Sequence, residues 1–165
     1  MEIKSQYEYH GRLWNSHYVE GDPNINLNGI KLNGVHCICF YGDKIVIVYE
    51  KKKSMWSPPG GAIEPGETYE EASIREVMEE SNMKVLYQET IGYQDVNRVD
   101  DNLTYRQARM FCIVEPYSDF VVDPDGDITE IKLIDSKDYK QYFDWGESGD
   151  RILERALEIK ASLKI

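Results

Sequence analysis

The 165-residue chain reads as one α/β domain in which a mixed sheet lies between helices. Three observations predict it. Two adjoining apolar runs, residues 35–41 and 44–49, have the near-continuous hydrophobicity of strands buried on both faces. A helix pattern opens just after Thr68, and further strand patterns follow it at 85–91, 108–114 and 128–134. A last amphipathic stretch, with Ile152, Leu153, Ala156 and Leu157 on its inner side, closes the chain as a helix. Strands on both sides of one central helix, with a second helix at the end, place the sheet between the two.

Composition narrows the partners. The net charge of −11 leaves no basic stripe of the kind a long nucleic-acid polymer requires. A small anionic substrate stays compatible, because bound cations invert the local field. No apolar run approaches the ~20 residues of a membrane span. Met1-Glu2-Ile3-Lys4-Ser5 leads into polar and aromatic residues rather than a leader, so a cytoplasmic location is expected. Cys37, Cys39 and Cys112 are odd in number and apolar in context, which favours buried thiols over disulfides. No repeat or linker divides residues 1–165, with 1–30 as an extension packed on or beside the domain.

Within that extension, Tyr7, Tyr9, Leu13 and Trp14 alternate loosely with polar residues and suggest one or two edge strands. Gly21-Asp22-Pro23-Asn24 reads as a turn. Gly42-Asp43 forms a two-residue hairpin turn with Gly at its first central position. His36, inside the first apolar run, reads as a satisfied core or pocket-edge residue. Lys51-Lys52-Lys53 is either a solvated loop or a cluster that steers phosphates. Trp56 to Gly61 combines two prolines that stiffen the chain with two glycines that let backbone approach a ligand. Glu64-Pro65-Gly66-Glu67 carries the central Pro-Gly of a type II turn. Thr68 with Glu71 forms a capping box, so the helix should begin near Tyr69.

Later in the chain, the polar residues 93–102 read as a loop, and Glu115-Pro116 ends the strand at 108–114. Asp123 to Asp127 reads as an acidic turn lacking the downstream glutamate of a calcium loop. Ser136 opens a short helical stretch. Asp150 is the expected cap of the final helix. Trp145 either anchors that helix to the sheet or lies over a nucleobase. Arg98, Arg106 and Arg109 are candidate contacts for phosphate or ribose oxygens, which suit guanidinium forks.

The chemistry concentrates on the central helix. Glu76, Glu79 and Glu80 stand at i, i+3 and i+4 and share one face, while Ile74, Val77 and Met78 fall roughly opposite. Like charges at those spacings repel, so a positive partner should offset them, and a hard divalent cation with oxygen ligands fits. The stretch from Gly61 runs five residues to Glu67, seven to Arg75-Glu76, then Val77, Glu79-Glu80, Asn82 and Met83. That spacing resembles the box of the Nudix hydrolases (MutT-like), a family that cleaves nucleoside diphosphates linked to another group. Every charged position matches; Asn82 stands where the family has Gly, and both residues tolerate a left-handed helix cap.

The resemblance implies a Nudix-type alpha/beta/alpha sandwich with a mixed central sheet, and it supplies the topology. It further implies Mg2+, with Mn2+ as a substitute, held by Glu76, Glu79, Glu80 and the Gly60 carbonyl. Arg75 would orient Glu67 or Glu79, and Glu79 and Glu130 compete as general base. The implied substrate is a small nucleotide: ADP-ribose, a nucleotide sugar or an oxidised nucleoside triphosphate. A nucleotide-sensing module without turnover is the alternative, though such modules tend to lose these carboxylates. A homodimer is compatible with the sequence.

Overall fold

The computed structural model describes residues 1–119 and 126–164. Nine strands and two α-helices occur among them: β1 (Glu2–Tyr9), β2 (Arg12–Val19), β3 (Lys31–Tyr41), β4 (Lys44–Glu50), β5 (Met55–Ser57), β6 (Gly60–Ala62), α1 (Tyr69–Ser81), β7 (Met83–Arg98), β8 (Thr104–Pro116), β9 (Ile128–Asp135) and α2 (Gly146–Ser162). A short 3-10 helix, Ser136–Gln141, precedes α2. The strands form one mixed sheet in the order β1-β2-β7-β8-β3-β4-β5. Only β3 and β8 run parallel; β6 adds to β3 and β9 to β4, both antiparallel.

Alternation along the strands divides the core between the two faces of this sheet. Val35, Cys37 and Cys39 of β3 join Ala108, Met110 and Cys112 of β8 under Ala72 and Val77 of α1. Their neighbours Ile38, Phe40 and Phe111 point the other way, onto Ile152, Leu153, Ala156 and Ile159 of α2. The expected layering of sheet between helices is therefore present. The three cysteines are free and buried on the α1 side, where Cys37 Sγ lies 3.1 Å from Ser73 Oγ.

Turn chemistry sets how the strands join. Gly42 has φ +61° between β3 and β4, as the hairpin turn with Gly first requires. The two strands pair only at Phe40 with Ile45 and Tyr41 with Lys44, and then part. Beyond that point β6 lies beside His36, Val35 and Gly34 of β3, while β5 and β9 flank β4. The opening between β3 and β4 is where α1 reaches the sheet edge.

Four details differ from the sequence reading. Residues 93–98 continue β7 instead of forming a loop, because their polar side chains find partners inside the sheet. Gln94 donates to Ser16 Oγ at 3.0 Å, and Asp95 accepts from Arg106 Nε at 2.8 Å. Helix α2 begins at Gly146, so Asp150 lies within it and accepts from Tyr139 Oη and Lys140 Nζ instead of capping. Starting there, the inward stripe is Ile152, Leu153, Ala156 and Ile159, and Leu157 turns outward at 41% exposure. Likewise Ile74 is 48% exposed, because α1 buries Ala72, Ser73, Glu76 and Val77. The acidic turn at 123–127 falls mostly outside the described residues.

The N-terminal hairpin belongs to the sheet. Strand β2 pairs with β7 from Trp14–Arg98 to Val19–Tyr93, and Tyr18 is fully buried. Arg106, only 2% exposed, fixes the loop that follows. It holds Asp95 through Nε and Nη2, donates to the carbonyls of Pro23, Ile25 and Asn26, and stacks on Tyr93 with Cζ 3.8 Å from the ring centre. Removing one member of a buried ion pair strands the other. Arg106→Met is expected to cost about 3–5 kcal/mol in urea unfolding; a change under about 1 kcal/mol would contradict this anchoring role.

Candidate active site

Local sequence chemistry fixes both ends of α1. The turn into it closes with Glu67 N donating to the Glu64 carbonyl at 3.0 Å, with Gly66 at φ +83°. The capping box is complete: Glu71 N donates to Thr68 Oγ1 at 3.1 Å, and Thr68 N to Glu71 Oε1 at 3.2 Å. At the far end Asn82 is left-handed, φ 55° and ψ 32°, and its N–H meets the Met78 carbonyl. Its side chain does what glycine could not. Nδ2 donates to the carbonyls of Ser118 at 3.0 Å and Asp119 at 2.9 Å, tying the helix end to the chain beyond β8.

On this helix one guanidinium gathers three carboxylates. Arg75 grips Glu67 through Nε at 2.8 Å and Nη2 at 2.9 Å. Its Nη1 donates to Glu76 Oε1 at 2.8 Å and Glu79 Oε2 at 3.2 Å, and Nη2 also reaches the Ala62 carbonyl at 2.9 Å. Glu67 and Glu79 are thus oriented together, and Glu76 with them. The Arg75 hydrogen bonds pull the Glu67 carboxyl down to about 2, helped by the Glu64 backbone N–H. Glu80 is held separately, accepting from Gly60 N at 2.8 Å.

The two glycines of β6 make room for this cluster. A Cβ on Gly61 would lie 2.6 Å from the Glu76 carboxyl carbon, and one on Gly60 would lie 2.2 Å from the Val35 carbonyl oxygen. Glu76, 9% exposed, therefore packs its carboxylate directly on backbone. Glu76, Glu79, Glu80, Gly60 and Gly61 open onto a cleft of about 410 Å³, within the usual size range of small-molecule sites. Glu50, Asp127 and Lys53 form its other charged wall. Among the described residues no three acidic or histidine side chains stand together as a ready-made metal site; what the cleft offers is hard carboxylate and carbonyl oxygen, the donor type that divalent cations take.

The remaining predicted residues are distributed unevenly. Glu130 is exposed on β9 opposite Tyr49 and does not line the cleft; Asp127, at the mouth of the same strand, does. Arg98 pairs with Asp100 at 2.7 Å and Asp101 at 3.1 Å in the β7–β8 turn, and Arg106 is enclosed as described. Arg109, 5% exposed, lies beneath the cleft floor. It donates to Gln94 Oε1 at 2.8 Å, Gln107 Oε1 at 2.9 Å and His36 Nδ1 at 3.2 Å. Burial lowers its pKa to about 10, still charged at neutral pH. The same burial, with Arg109 beside it, holds His36 near 3 and so neutral. Trp145 packs its ring against His36, Phe143 and the Arg109 guanidinium, which is the anchoring arrangement. Of the lysine cluster, Lys53 lines the cleft and Lys52 pairs with Asp127 at 3.1 Å.

Sequence reasoning missed Glu50, Asp127 and Gln107 as cleft residues. Glu50 ends a strand and Asp127 precedes one, the usual places for functional side chains, whereas Gln107 gives no signal of its own. A wider groove of about 530 Å³ lies beside Arg151 and Glu158, away from the α1 carboxylates. Arg151 there is committed to Glu20 and Glu158.

Because the Glu67 pKa is depressed, its pairing with Arg75 contributes stability fully above pH 4.5 and loses it as pH falls toward 2. Glu67→Gln is expected to flatten the fall of the melting temperature across that window relative to the unsubstituted protein. Identical slopes would show that the pair carries no such linkage.

Comparison with known proteins shows the family. A Bacillus subtilis (strain 168) protein described as a candidate 8-oxo-dGTP diphosphatase is 39% identical over 49 residues, 30% of this chain and 33% of that protein. The Mus musculus nucleoside diphosphate-linked moiety X motif 6 is 30% identical over 77 residues, 46% of this chain and 25% of that protein. The chain thus matches no more than a third of either relative's length. A point variant of the Bacillus subtilis pyrophosphohydrolase BsRppH shares the fold, with a TM-score of 0.72 at 20% identity over 97% of both chains. The NUDIX domain model matches residues 31–156, most of the sequence and all of the cleft described above; the chain belongs to the NUDIX domain family.

Proposed function

We propose that this protein hydrolyses the P–O–P bridge of a nucleoside diphosphate linked to another moiety, using divalent cations held by the α1 carboxylates. The observation that carries this reading is the Arg75-centred carboxylate cluster on the glycine edge of a nucleotide-sized cleft. Among the described residues, five carboxylates line that cleft against the single ammonium of Lys53. Two like charges 4 Å apart repel by about 4 kcal/mol at an effective dielectric of 20, so a diphosphate needs cations to enter. Nudix hydrolases generally use divalent metals. The relatives' names support an oxidised nucleoside triphosphate or another nucleoside diphosphate-linked compound, a range that takes in ADP-ribose and nucleotide sugars.

Glu76, Glu79, Glu80 and the Gly60 carbonyl would hold Mg2+, with Mn2+ as substitute. The bound ion supplies an activated water and neutralises the diphosphate oxygens. The protein's own part is orientation. Arg75 fixes Glu76 and Glu79 toward the cleft, and Glu67, fully ionised, keeps Arg75 in place as a second-layer support. Glu79, the more exposed carboxylate of the Arg75 pair, can accept a proton from water at the cleft, as general base. Asp127 is the better-placed second candidate, because it faces the cleft from the opposite wall while Glu130 does not.

Glu76→Gln is expected to lower kcat on the order of a thousandfold in Mg2+, about 4 kcal/mol of transition-state stabilisation, with an unchanged circular-dichroism spectrum. Near-normal turnover would overturn the assignment. Arg75→Lys loses the fork and should cost about 10–100-fold. Asp127→Asn should reduce turnover while Glu130→Gln leaves it within about twofold; the reverse result returns the role to Glu130. Phosphate release from a nucleotide panel, with and without a chelator, tests the activity itself. Tight binding without turnover of any member would mark a sensing module.

A further inference from the structure

Below the cleft, opposite the α1 carboxylates, the buried Arg109 imposes a fixed orientation on two neutral side chains. Guanidinium is a donor only, so whatever it touches must present an acceptor. Gln107 therefore turns Oε1 to Arg109 Nη2, at 2.9 Å, and its amide NH2 the other way. By the same logic His36 offers an unprotonated Nδ1 to Arg109 Nη1, at 3.2 Å, and carries its proton on Nε2. Both side chains line the cleft, and neither outward donor has a partner among the described residues. Gln94 on β7 is the control within the structure: its Oε1 also faces Arg109, at 2.8 Å, but its NH2 is used inside the sheet by Ser16.

Gly34 lies between the two donors in the sheet, paired with Gln107 on β8 and two residues before His36 on β3. A Cβ there would come within 3.7 Å of the Gln107 side chain and 3.5 Å of the Gly61 carbonyl. Without one, the floor beside the donors stays open. The wall so formed offers two outward side-chain donors, with a buried positive charge behind both. It suits a flat group whose edge carries acceptors only.

We infer that His36 and Gln107, positioned by Arg109, read the base of the substrate and select a 6-oxopurine over a 6-aminopurine. A 6-oxopurine presents O6 and N7, both acceptors, on one edge; adenine sets an amino donor beside N7, against the Gln107 amide. The phosphates belong at the carboxylate end, where cations gather, and neutral donors suit the neutral end of the nucleotide. His36 and Gln107 are then specificity residues and Arg109 a positioning residue. This rests on the proposed nucleotide substrate, and it names which class of nucleotide the site takes.

Inosine and adenosine diphosphates isolate the contrast, since they share sugar and phosphates. Titration calorimetry of the full chain in Mg2+ should show IDP binding about tenfold tighter than ADP. Gln107→Glu, which replaces the donor by an acceptor, should bring the ratio to one or below. Arg109→Met should also collapse the ratio, a change that loss of fold stability alone does not produce in protein that still binds diphosphate. Equal affinities in the unsubstituted protein, or a ratio that survives Gln107→Glu, would overturn the inference; should Arg109→Met fail to fold, Gln107→Glu decides alone. The two readings separate cleanly. Turnover of nucleotides with no IDP preference removes the base assignment and leaves the hydrolase, whereas a Gln107-dependent preference without turnover does the opposite.

Discussion

One guanidinium sets the geometry on which the cleft depends. Three carboxylates at Glu67, Glu76 and Glu79 converge on Arg75, and without it the acidic face of α1 would spread apart under its own repulsion. The fork geometry matters as much as the charge. Nε and Nη2 take both oxygens of Glu67, which leaves Nη1 to aim Glu76 and Glu79 from a fixed platform. A lysine in the same place would supply the charge without the directions. The guanidinium offsets the cost of assembling so many acids at neutral pH, and protonation of Glu67 forfeits the ion pair that holds Arg75 in place.

That helix can reach the cleft only because the sheet opens. Strands β3 and β4 separate after a two-pair ladder, and the bare backbone of Gly60 and Gly61 fills the edge so exposed. Any side chain at Gly61 would collide with Glu76. Here a fold-level feature, the parting of two strands, becomes a chemical one: carboxylates in direct contact with main chain. Asn82 contributes from the other end. As a left-handed cap that also binds the Ser118 and Asp119 carbonyls, it fixes α1 against the chain that leaves β8.

The opposite side of the sheet is organised by a second buried arginine with a different logic. Arg75 meets anions and makes them cooperate, while Arg109 has neutral acceptors and orients them. Its burial against Trp145 explains why the start of α2 packs at this point. A third arginine, Arg106, ties the loop after β2 to β7 and so locks the N-terminal hairpin into the domain. Residues 1–30 are in this sense structural members, with Tyr18 in the main core.

Much of this architecture was legible in the sequence because it rests on short-range chemistry. Thr68 and Glu71 specify where α1 starts, Pro65-Gly66 specify the turn before it, and Asn82 specifies where it ends; each acts within four residues. The near-continuous apolar runs at 35–41 and 44–49 identified strands buried on two faces, and the Glu/Arg spacing identified the acid-bearing helix face. What the sequence could not decide depends on contacts between distant segments. The 93–98 stretch looks like a loop until Ser16, Arg106 and Arg109 arrive to satisfy its polar groups. Three arginines look alike in sequence, yet one is half-buried and paired with Asp100 and Asp101, one is a buried strut and one sits under the cleft. Asp127 rather than Glu130 lines that cleft: it precedes β9, with its carbonyl held by Lys51 N at 3.0 Å, while Glu130 is exposed opposite Tyr49. Local propensity and spacing are written along the chain, but burial and direction are properties of what packs against it.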